Sequence, residues 1–96
     1  MNELFVDTSG WAAFLVRSEP FHFRARTAIE ELRRAAGSVV TTNYVMAELV
    51  ALMTSPLRIP RTEQIRIIET LRSSEWIRII HIGQVQGYRT SVRGNC

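Results

Sequence analysis

A short apolar strand that ends at an aspartate is the feature that most constrains the fold of this chain. Residues 3–7 include the run Leu4-Phe5-Val6-Asp7, and the following Thr8-Ser9-Gly10 predicts a turn that leads into a helix. The strand lies too near the N-terminus to be the second strand of a hairpin. The corner is therefore typical of the first βα unit of an open α/β sheet, where ligands bind at the carboxyl ends of parallel strands.

Asp7 is the first candidate for chemistry, and it is the only aspartate in the chain. Burying an unpaired carboxylate costs several kcal/mol. An aspartate at the end of an inward-facing strand therefore needs water, a hydrogen-bond donor or a metal ion as its partner.

The rest of the chain alternates strands with pairs of helices. Thr8 or Ser9 is the predicted N-cap of the first helix, and Asn43 is the predicted N-cap of the third. Gly37 is predicted to take left-handed backbone geometry at the end of the second helix. Strands separated by helices are expected to pair in parallel. The predicted strands are 3–7, 38–42 and 76–82, and the predicted helices are about 9–16, 21–36, 44–54 and 61–73.

Helical spacing also predicts which side chains face the core. In the fourth helix, Ile65, Ile68 and Leu71 are expected to point inward. Met46 and Met53 in the third helix are expected to be core residues rather than the wall of a cofactor pocket.

The remaining titratable residues are weaker site candidates. His22, at a helix start, is expected to be a cap or a surface residue, and His81 is expected to be a structural group within the third strand. Glu30 and Glu31 are expected to lie on a solvated helix face.

Composition is typical of one small soluble domain spanning residues 1–96. Hydrophobic residues make up 46% of the chain, and no apolar run approaches the roughly 20 residues of a membrane span. No basic segment precedes an apolar secretory stretch at the N-terminus. The single cysteine, Cys96, excludes an internal disulfide framework. We therefore expect a cytoplasmic protein.

All 12 basic residues are arginines, and the net charge is +3. Arginine can bind phosphate through two parallel hydrogen bonds, so the charge gives mild support for a nucleic-acid partner. Genomic codon bias explains the absence of lysine at least as well.

A second carboxylate lies in the third helix. Glu48 is the only charged residue of the run from Tyr44 to Met53. It follows the second strand by one to two helical turns, and in a parallel sheet that strand ends beside the first, so Asp7 and Glu48 can point into one cleft. Two facing carboxylates repel unless a cation lies between them, and Mg²⁺ prefers oxygen ligands. The alternative is that Asp7 caps the first helix and Glu48 pairs with an arginine.

Two motifs resemble those of the PIN domain, in particular the ribonuclease toxins of VapBC toxin–antitoxin pairs. They are the run from Val6 to Trp11 and the run from Val40 to Leu49; the segment Phe21-His22-Phe23-Arg24-Ala25 and the following helix are also similar. The resemblance implies a parallel sheet flanked by helices in α/β/α layers. It also implies that Asp7 and Glu48 are the acids of a Mg²⁺ site (Mn²⁺ being a substitute), and that Ser9 lies beside that site.

The chain departs from the family pattern in its last third. The family carries a third acid, and commonly a fourth, after the third strand and its following helix, whereas residues 76–96 contain neither aspartate nor glutamate. Residues 87–96 correspond to part of a helix, and the last two strands of the family fold are missing. The fourth strand of that fold pairs beside the first, so we expect a C-terminally shortened member whose first strand is an open edge.

Three functions follow as hypotheses. The leading one is a Mg²⁺-dependent endoribonuclease toxin with an antitoxin partner, in which Asp7 and Glu48 are catalytic and Arg17 and Arg24 steer RNA. The second is an inactive PIN-like remnant that binds an antitoxin or forms a homodimer. The third, a phosphoacceptor receiver domain, requires an acidic pair at the end of the first strand, and Thr8 does not supply the second acid.

Overall fold

Three parallel strands and four helices make up residues 2–83, the part of the chain that the computed structural model describes. In chain order they are β1 (Glu3–Phe5), α1 (Thr8–Leu15), α2 (His22–Arg34), β2 (Ser38–Thr42), α3 (Asn43–Thr54), α4 (Arg61–Ser73) and β3 (Ile77–Ile80). Residues 87–96, which the sequence assigns to part of a helix, lie outside the described residues.

The strands form one sheet in the order β1-β2-β3, and both neighbouring pairs are parallel. Leu4 lies opposite Val39, which in turn lies opposite Ile77. Each connection contains two helices, which return the chain to the edge of the sheet where the previous strand began. The predicted α/β fold with parallel pairing is confirmed.

Most predicted boundaries agree closely with the structure, and the strands beside the site differ most. β1 ends at Phe5 rather than at residue 7, although the amide of Val6 still donates to the carbonyl of Val40 at 2.9 Å. β3 ends at Ile80 rather than at residue 82. His81 therefore follows the strand and is exposed, so the prediction that placed it within the strand is wrong.

Side chains of the four helices pack with the sheet face that carries Val39. Val6, Val39 and Ile77 point to that face and are nearly inaccessible to solvent. Phe5 and Ile80 point to the other face and are exposed, because successive residues of a strand point to opposite sides. The buried apolar core contains Val6, Trp11, Ile29, Val39, Val45, Met46, Leu49, Met53, Leu71 and Ile77, which confirms the prediction for both methionines.

Two of the three residues of the fourth helix that were predicted to face the core do so, since Leu71 is buried and Ile68 packs against the core cluster. Gln64 and Leu71, two turns apart, are its buried residues, and the Gln64 amide donates to the carbonyl of Ile59 at 2.8 Å. Ile65 lies about 100° further around the helix and is 49% exposed, so the prediction that it points inward is wrong. A polar residue with a buried hydrogen-bond partner replaces it on the core face.

The end of α2 differs from the prediction by one residue. Ala36 rather than Gly37 has the left-handed backbone, with φ of 58°. The amide of Gly37 donates to the carbonyl of Leu32 and the amide of Ala36 donates to that of Arg33, which is the Schellman arrangement. Gly37 is needed for space instead, since a Cβ atom there would lie 2.8 Å from the carbonyl oxygen of Asn2.

His22 is buried, so the prediction of a cap or surface residue is wrong. Its Nδ1 lies 2.8 Å from the carbonyl oxygen of Ala13, a contact that joins the start of α2 to α1. Glu31 is exposed and Glu30 forms a surface ion pair with Arg26, which confirms the solvated face.

β1 lies at one edge of the three-stranded sheet within residues 2–83, as predicted. Phe5 on this strand is 57% exposed. Among the helices of the described part, none has the length and apolarity to cross a membrane.

Candidate active site

Asp7 lies at the carboxyl end of β1 and caps α1. Its backbone is extended, and its Oδ1 accepts hydrogen bonds from the amide of Gly10 at 2.9 Å and the hydroxyl of Ser9 at 3.1 Å. The prediction of Thr8 or Ser9 as the N-cap is therefore wrong, and the alternative that Asp7 caps the helix is confirmed. Both bonds end on the same oxygen, so Oδ2 has no hydrogen-bond donor among residues 2–83.

Gly10 allows this close capping geometry. A Cβ atom at position 10 would lie 3.0 Å from Cγ1 of Val6 and 3.3 Å from Oδ1 of Asp7, which is tighter than most real contacts. The small residue three positions after the aspartate therefore lets the first turn of α1 approach the carboxylate.

Glu48 lies on the exposed side of α3, one turn after Tyr44. Thr42 caps this helix by accepting from the amide of Val45 at 3.1 Å, so the prediction of Asn43 as the N-cap is wrong. The amide side chain of Asn43 instead accepts from the backbone amide of Ile82 at 2.8 Å and donates to its carbonyl. This pairing ties the start of α3 to the segment that follows β3.

The two carboxylates are brought to the same corner of the molecule by Thr8. The hydroxyl of Thr8, the residue after Asp7, donates to Oε1 of Glu48 at 2.7 Å. None of the ion pairs in residues 2–83 involves Glu48, so the alternative in which it pairs with an arginine is wrong for this part of the chain. Hydrogen bonds therefore connect two carboxylates and two hydroxyls into one group of candidate metal-binding oxygens, which we call the oxygen-donor group: Asp7, Thr8, Ser9 and Glu48.

A buried hydrogen-bond network lies in the core beside this corner. The indole Nε1 of Trp11 donates to the hydroxyl of Thr41 at 3.2 Å, and that hydroxyl donates to the carbonyl of Val6 at 3.0 Å. Trp11 and Thr41 are both fully buried. The network joins α1, β2 and the residue before Asp7, so it fixes the position from which the carboxylate projects.

Sequence reasoning missed Thr8 and Thr41 as positioning residues. The sequence contains a weak signal for Thr8, since a residue with a hydroxyl directly follows the candidate acid. Thr41 is a polar residue at an inward position of a β-branched strand, and such a residue needs a buried partner.

The two arginines predicted to steer RNA are both exposed. Arg17 lies in the connection between α1 and α2, and Arg24 lies in the first turn of α2. Neither contacts a carboxylate of the oxygen-donor group through an ion pair in the described part of the chain.

The donor set fits a hard divalent cation. Mg²⁺ is commonly held by one or two carboxylates while it keeps several waters. Asp7 and Glu48 are both exposed, no arginine or histidine of residues 2–83 forms an ion pair with either, and Oδ2 of Asp7 is free of donors. No cluster of three or more acidic, histidine or cysteine side chains was found within that range. The described residues thus offer two carboxylates and two hydroxyls.

Comparison with known proteins identifies the family. The PIN domain family model matches residues 4–84. The structure is similar to that of VapC20 from Mycobacterium tuberculosis, a toxin that cleaves the sarcin-ricin loop, with a TM-score of 0.62 and 26% sequence identity. That match covers 83% of this chain and 57% of the VapC20 chain, and no curated protein sequence gave a significant match. Because the family model spans most of the 96 residues, the chain belongs to the PIN domain family and is VapC-like, as its motifs indicated.

Proposed function

We propose that this chain is a Mg²⁺-dependent endoribonuclease of the VapC toxin type. The observation that best supports the proposal is the hydrogen bond from Thr8 to Glu48, which brings the ends of β1 and β2 to one exposed corner with Asp7. The similarity to VapC20, a toxin that cleaves the sarcin-ricin loop, supports nuclease chemistry.

Asp7 and Glu48 are the residues that would hold the metal ion, and each is prepared for this by a neighbouring hydroxyl. Ser9 and the amide of Gly10 fix one oxygen of Asp7. Thr8 fixes one oxygen of Glu48. A bound Mg²⁺ supplies polarisation of a phosphodiester oxygen and lowers the pKa of coordinated water.

RNA is the proposed substrate, and Arg17 and Arg24 are the proposed steering residues. Both side chains are exposed, and the chain has a net charge of +3, so a polyanion is attracted to the protein as a whole. A VapB-like antitoxin is the proposed protein partner.

A second candidate function is supported by the exposed edge of the sheet. β1 is an edge strand in residues 2–83 and carries the exposed Phe5. Residues 76–96 add no acid to the site. Under this alternative the chain is a catalytically inactive PIN-like protein that binds an antitoxin or a second copy of itself.

RNA cleavage by the purified chain separates the two candidates. The test variant is Asp7→Asn, because asparagine is also a good N-cap and the substitution removes the charge while keeping the cap of α1. Glu48→Gln likewise keeps an acceptor for Thr8. Glu63→Gln is the matched control, since it removes one exposed carboxylate from α4.

For the nuclease, we expect slow cleavage of single-stranded RNA with Mg²⁺ that is abolished by EDTA and by Asp7→Asn and is unchanged by Glu63→Gln. The rate is expected to be low because the described residues offer only two acids at the site, and each further group that stabilises the transition state contributes about 10²-fold or more. Absence of cleavage at every metal concentration, with intact binding of an antitoxin or self-association, would establish the second candidate instead.

A further inference from the structure

Two phenylalanine rings are exposed to solvent at the start of α2. Phe21 is 61% exposed and Phe23 is 82% exposed, and no other large hydrophobic side chain in the described residues is as accessible. Isolated exposed apolar side chains are ordinary in proteins. Two such rings on either side of one buried residue form a local feature that requires an explanation.

The buried residue between them holds both rings outward. His22 is 7% exposed, and its Nδ1 lies 2.8 Å from the carbonyl oxygen of Ala13. Successive residues of a helix point about 100° apart, so a histidine fixed inward directs its two neighbours toward solvent. The ring of Phe23 also packs edge-on against His22, with centroids 5.7 Å apart. The two rings are therefore positioned before any partner binds.

A cation lies beside these rings. The guanidinium carbon of Arg24 is 5.5 Å from the centroid of the Phe21 ring, within the range of a cation–π interaction. Arg24 forms no ion pair with any residue in the range 2–83. Aromatic faces next to an unpaired arginine are the combination that binds single-stranded nucleic acid, since bases stack on the rings and phosphates pair with the cation.

Two hollows on the surface of α2 lie next to each other, one beside Asp7 and one beside Phe23. A groove of about 230 Å³ is lined by Asp7 and Gly10 on one side and by Ala25 and Ala28 of α2 on the other. A neighbouring hollow is lined by Phe23, Arg24, Thr27, Ala28 and Glu31. Ala28 lines both hollows, so the one with Asp7 and the one with Phe23 and Arg24 lie on either side of this small side chain.

We infer that Phe21, Phe23 and Arg24 form a stacking platform for an unpaired nucleotide of the RNA strand whose cleaved phosphate lies at Asp7. The inference rests on the proposed function and names the form of its substrate. The base stacks on an exposed ring, and Arg24 pairs with a phosphate of the same strand. A duplex cannot use the platform, because its bases are already stacked, so the platform selects single-stranded RNA.

The positive charge favours RNA over a protein helix as the occupant. Glu31 is the one acidic residue that lines the hollow, at its far side from Phe21 along α2. A polyanionic strand gains charge-assisted hydrogen bonds between its phosphates and the guanidinium of Arg24, which has no ion-pair partner in the described residues.

The test is binding of RNA by the full 96-residue chain in EDTA, so that cleavage is excluded. The probes are a fluorescein-labelled unstructured RNA of about ten nucleotides, a length within the usual range for one binding domain, and a duplex of equal length. Fluorescence anisotropy at low salt gives Kd for each. The variants are the double substitution Phe21→Leu with Phe23→Leu, and Arg24→Gln. Arg61→Gln is the charge control, since Arg61 is an exposed arginine at the start of α4.

We expect the double phenylalanine variant to raise Kd for the single strand by at least about fivefold and to leave Kd for the duplex unchanged. Fivefold corresponds to the smallest binding free energy that is usual for stacking one base on an aromatic ring. Arg24→Gln should weaken binding of both probes more than Arg61→Gln does. Thermal unfolding of each variant verifies that leucine, which keeps the apolar character, leaves the fold intact.

Single-strand binding within twofold of the wild type in the double phenylalanine variant would overturn the inference. A changed sedimentation coefficient in that variant with unchanged RNA affinity would also overturn it, because the rings would then be a protein contact. Binding in EDTA and cleavage with Mg²⁺ are separate measurements, so failure of this inference is distinguishable from failure of the proposed function. A chain that binds RNA through the platform and does not cleave it contradicts the proposed activity alone.

Discussion

Replacing Thr41 by valine should destabilise the protein through one buried hydroxyl. Thr41 and Trp11 are both fully buried. The hydroxyl accepts from the Trp11 indole at 3.2 Å and donates to the carbonyl of Val6 at 3.0 Å. Valine has nearly the same shape, so no cavity forms, but the indole N–H and the Val6 carbonyl each lose a partner that water cannot replace.

The expected loss is about 2 kcal/mol. Leaving a buried donor or acceptor unsatisfied costs roughly 1–3 kcal/mol, and local relaxation recovers part of the cost when two groups are affected together. For a domain of about 100 residues, 1 kcal/mol shifts the melting temperature by roughly 4–8 °C. Thr41→Val should therefore lower it by about 8–16 °C.

Urea denaturation of the wild type and variant measures this loss as a lower midpoint with an unchanged m value. Thr70→Val is the matched control, because the exposed Thr70 makes a hydroxyl bond to the carbonyl of Arg66 at 2.8 Å that water can replace. The control should change the free energy of unfolding by no more than about 0.5 kcal/mol. If Thr41→Val costs no more than Thr70→Val, the network does not support the Asp7 corner, and our account of how that corner is positioned is wrong.

Three further predictions concern the end of α2, the metal site and the sheet edge. Ala36→Gly should raise the free energy of unfolding, by about 1 kcal/mol or less, because Ala36 has φ of 58° and glycine adopts this conformation without strain; an unchanged denaturation midpoint would contradict this. A metal site with Kd of about 1 mM should stabilise the chain by about 1.4 kcal/mol in about 10 mM Mg²⁺ or Mn²⁺. This gain in stability should disappear in Asp7→Asn and in Glu48→Gln. A wild-type melting temperature that does not respond to metal would exclude a competent site. The wild type should self-associate in sedimentation velocity through β1, and Phe5→Lys should reduce this association; a stable wild-type monomer would mean that another part of the chain covers the edge.

The fold was predictable because its signals are local. Apolar runs of β-branched residues in 38–42 and the helical spacing in 61–73 located β2 and α4 at their observed bounds. Parallel pairing then followed from the helices that separate the strands. The error at Ile65 arose because α4 has apolar residues on more than one side, and the buried side is the one with Gln64 and Leu71.

The capping residues were each predicted one position too late. Asp7-Thr8-Ser9 and Thr42-Asn43 contain only residues that make good caps, so propensity does not distinguish them. The choice depends on where strand pairing ends, and this is set by the partner strand. For β1 the last pairing is the bond from Val6 to Val40, which leaves Asp7 as the first residue free to cap.

The approach of Asp7 and Glu48 to one corner was predictable, and the hydrogen bonds that orient them were not. Asp7 was a candidate because it follows an apolar strand, and Glu48 was a candidate because it is the only charged residue in an apolar helical run. The bond between Thr8 and Glu48 joins residues 40 positions apart, and the contact of His22 with Ala13 depends on how α1 packs on α2. Neither follows from spacing within one element.

Asp7 has two roles: it caps α1, and it is a candidate metal ligand. Asp7→Asn keeps the first role and removes the charge that the second needs. One oxygen caps α1 through Gly10 and Ser9, and the positive end of the helix dipole further favours its charge. The other oxygen remains available to a cation. Since Thr8 holds Glu48 in the same way, hydrogen bonds of the chain itself orient both carboxylates before metal binds. The fold therefore orients one oxygen of each candidate acid through its own hydrogen bonds, and in the proposed function a bound metal ion would add the chemistry and further stability.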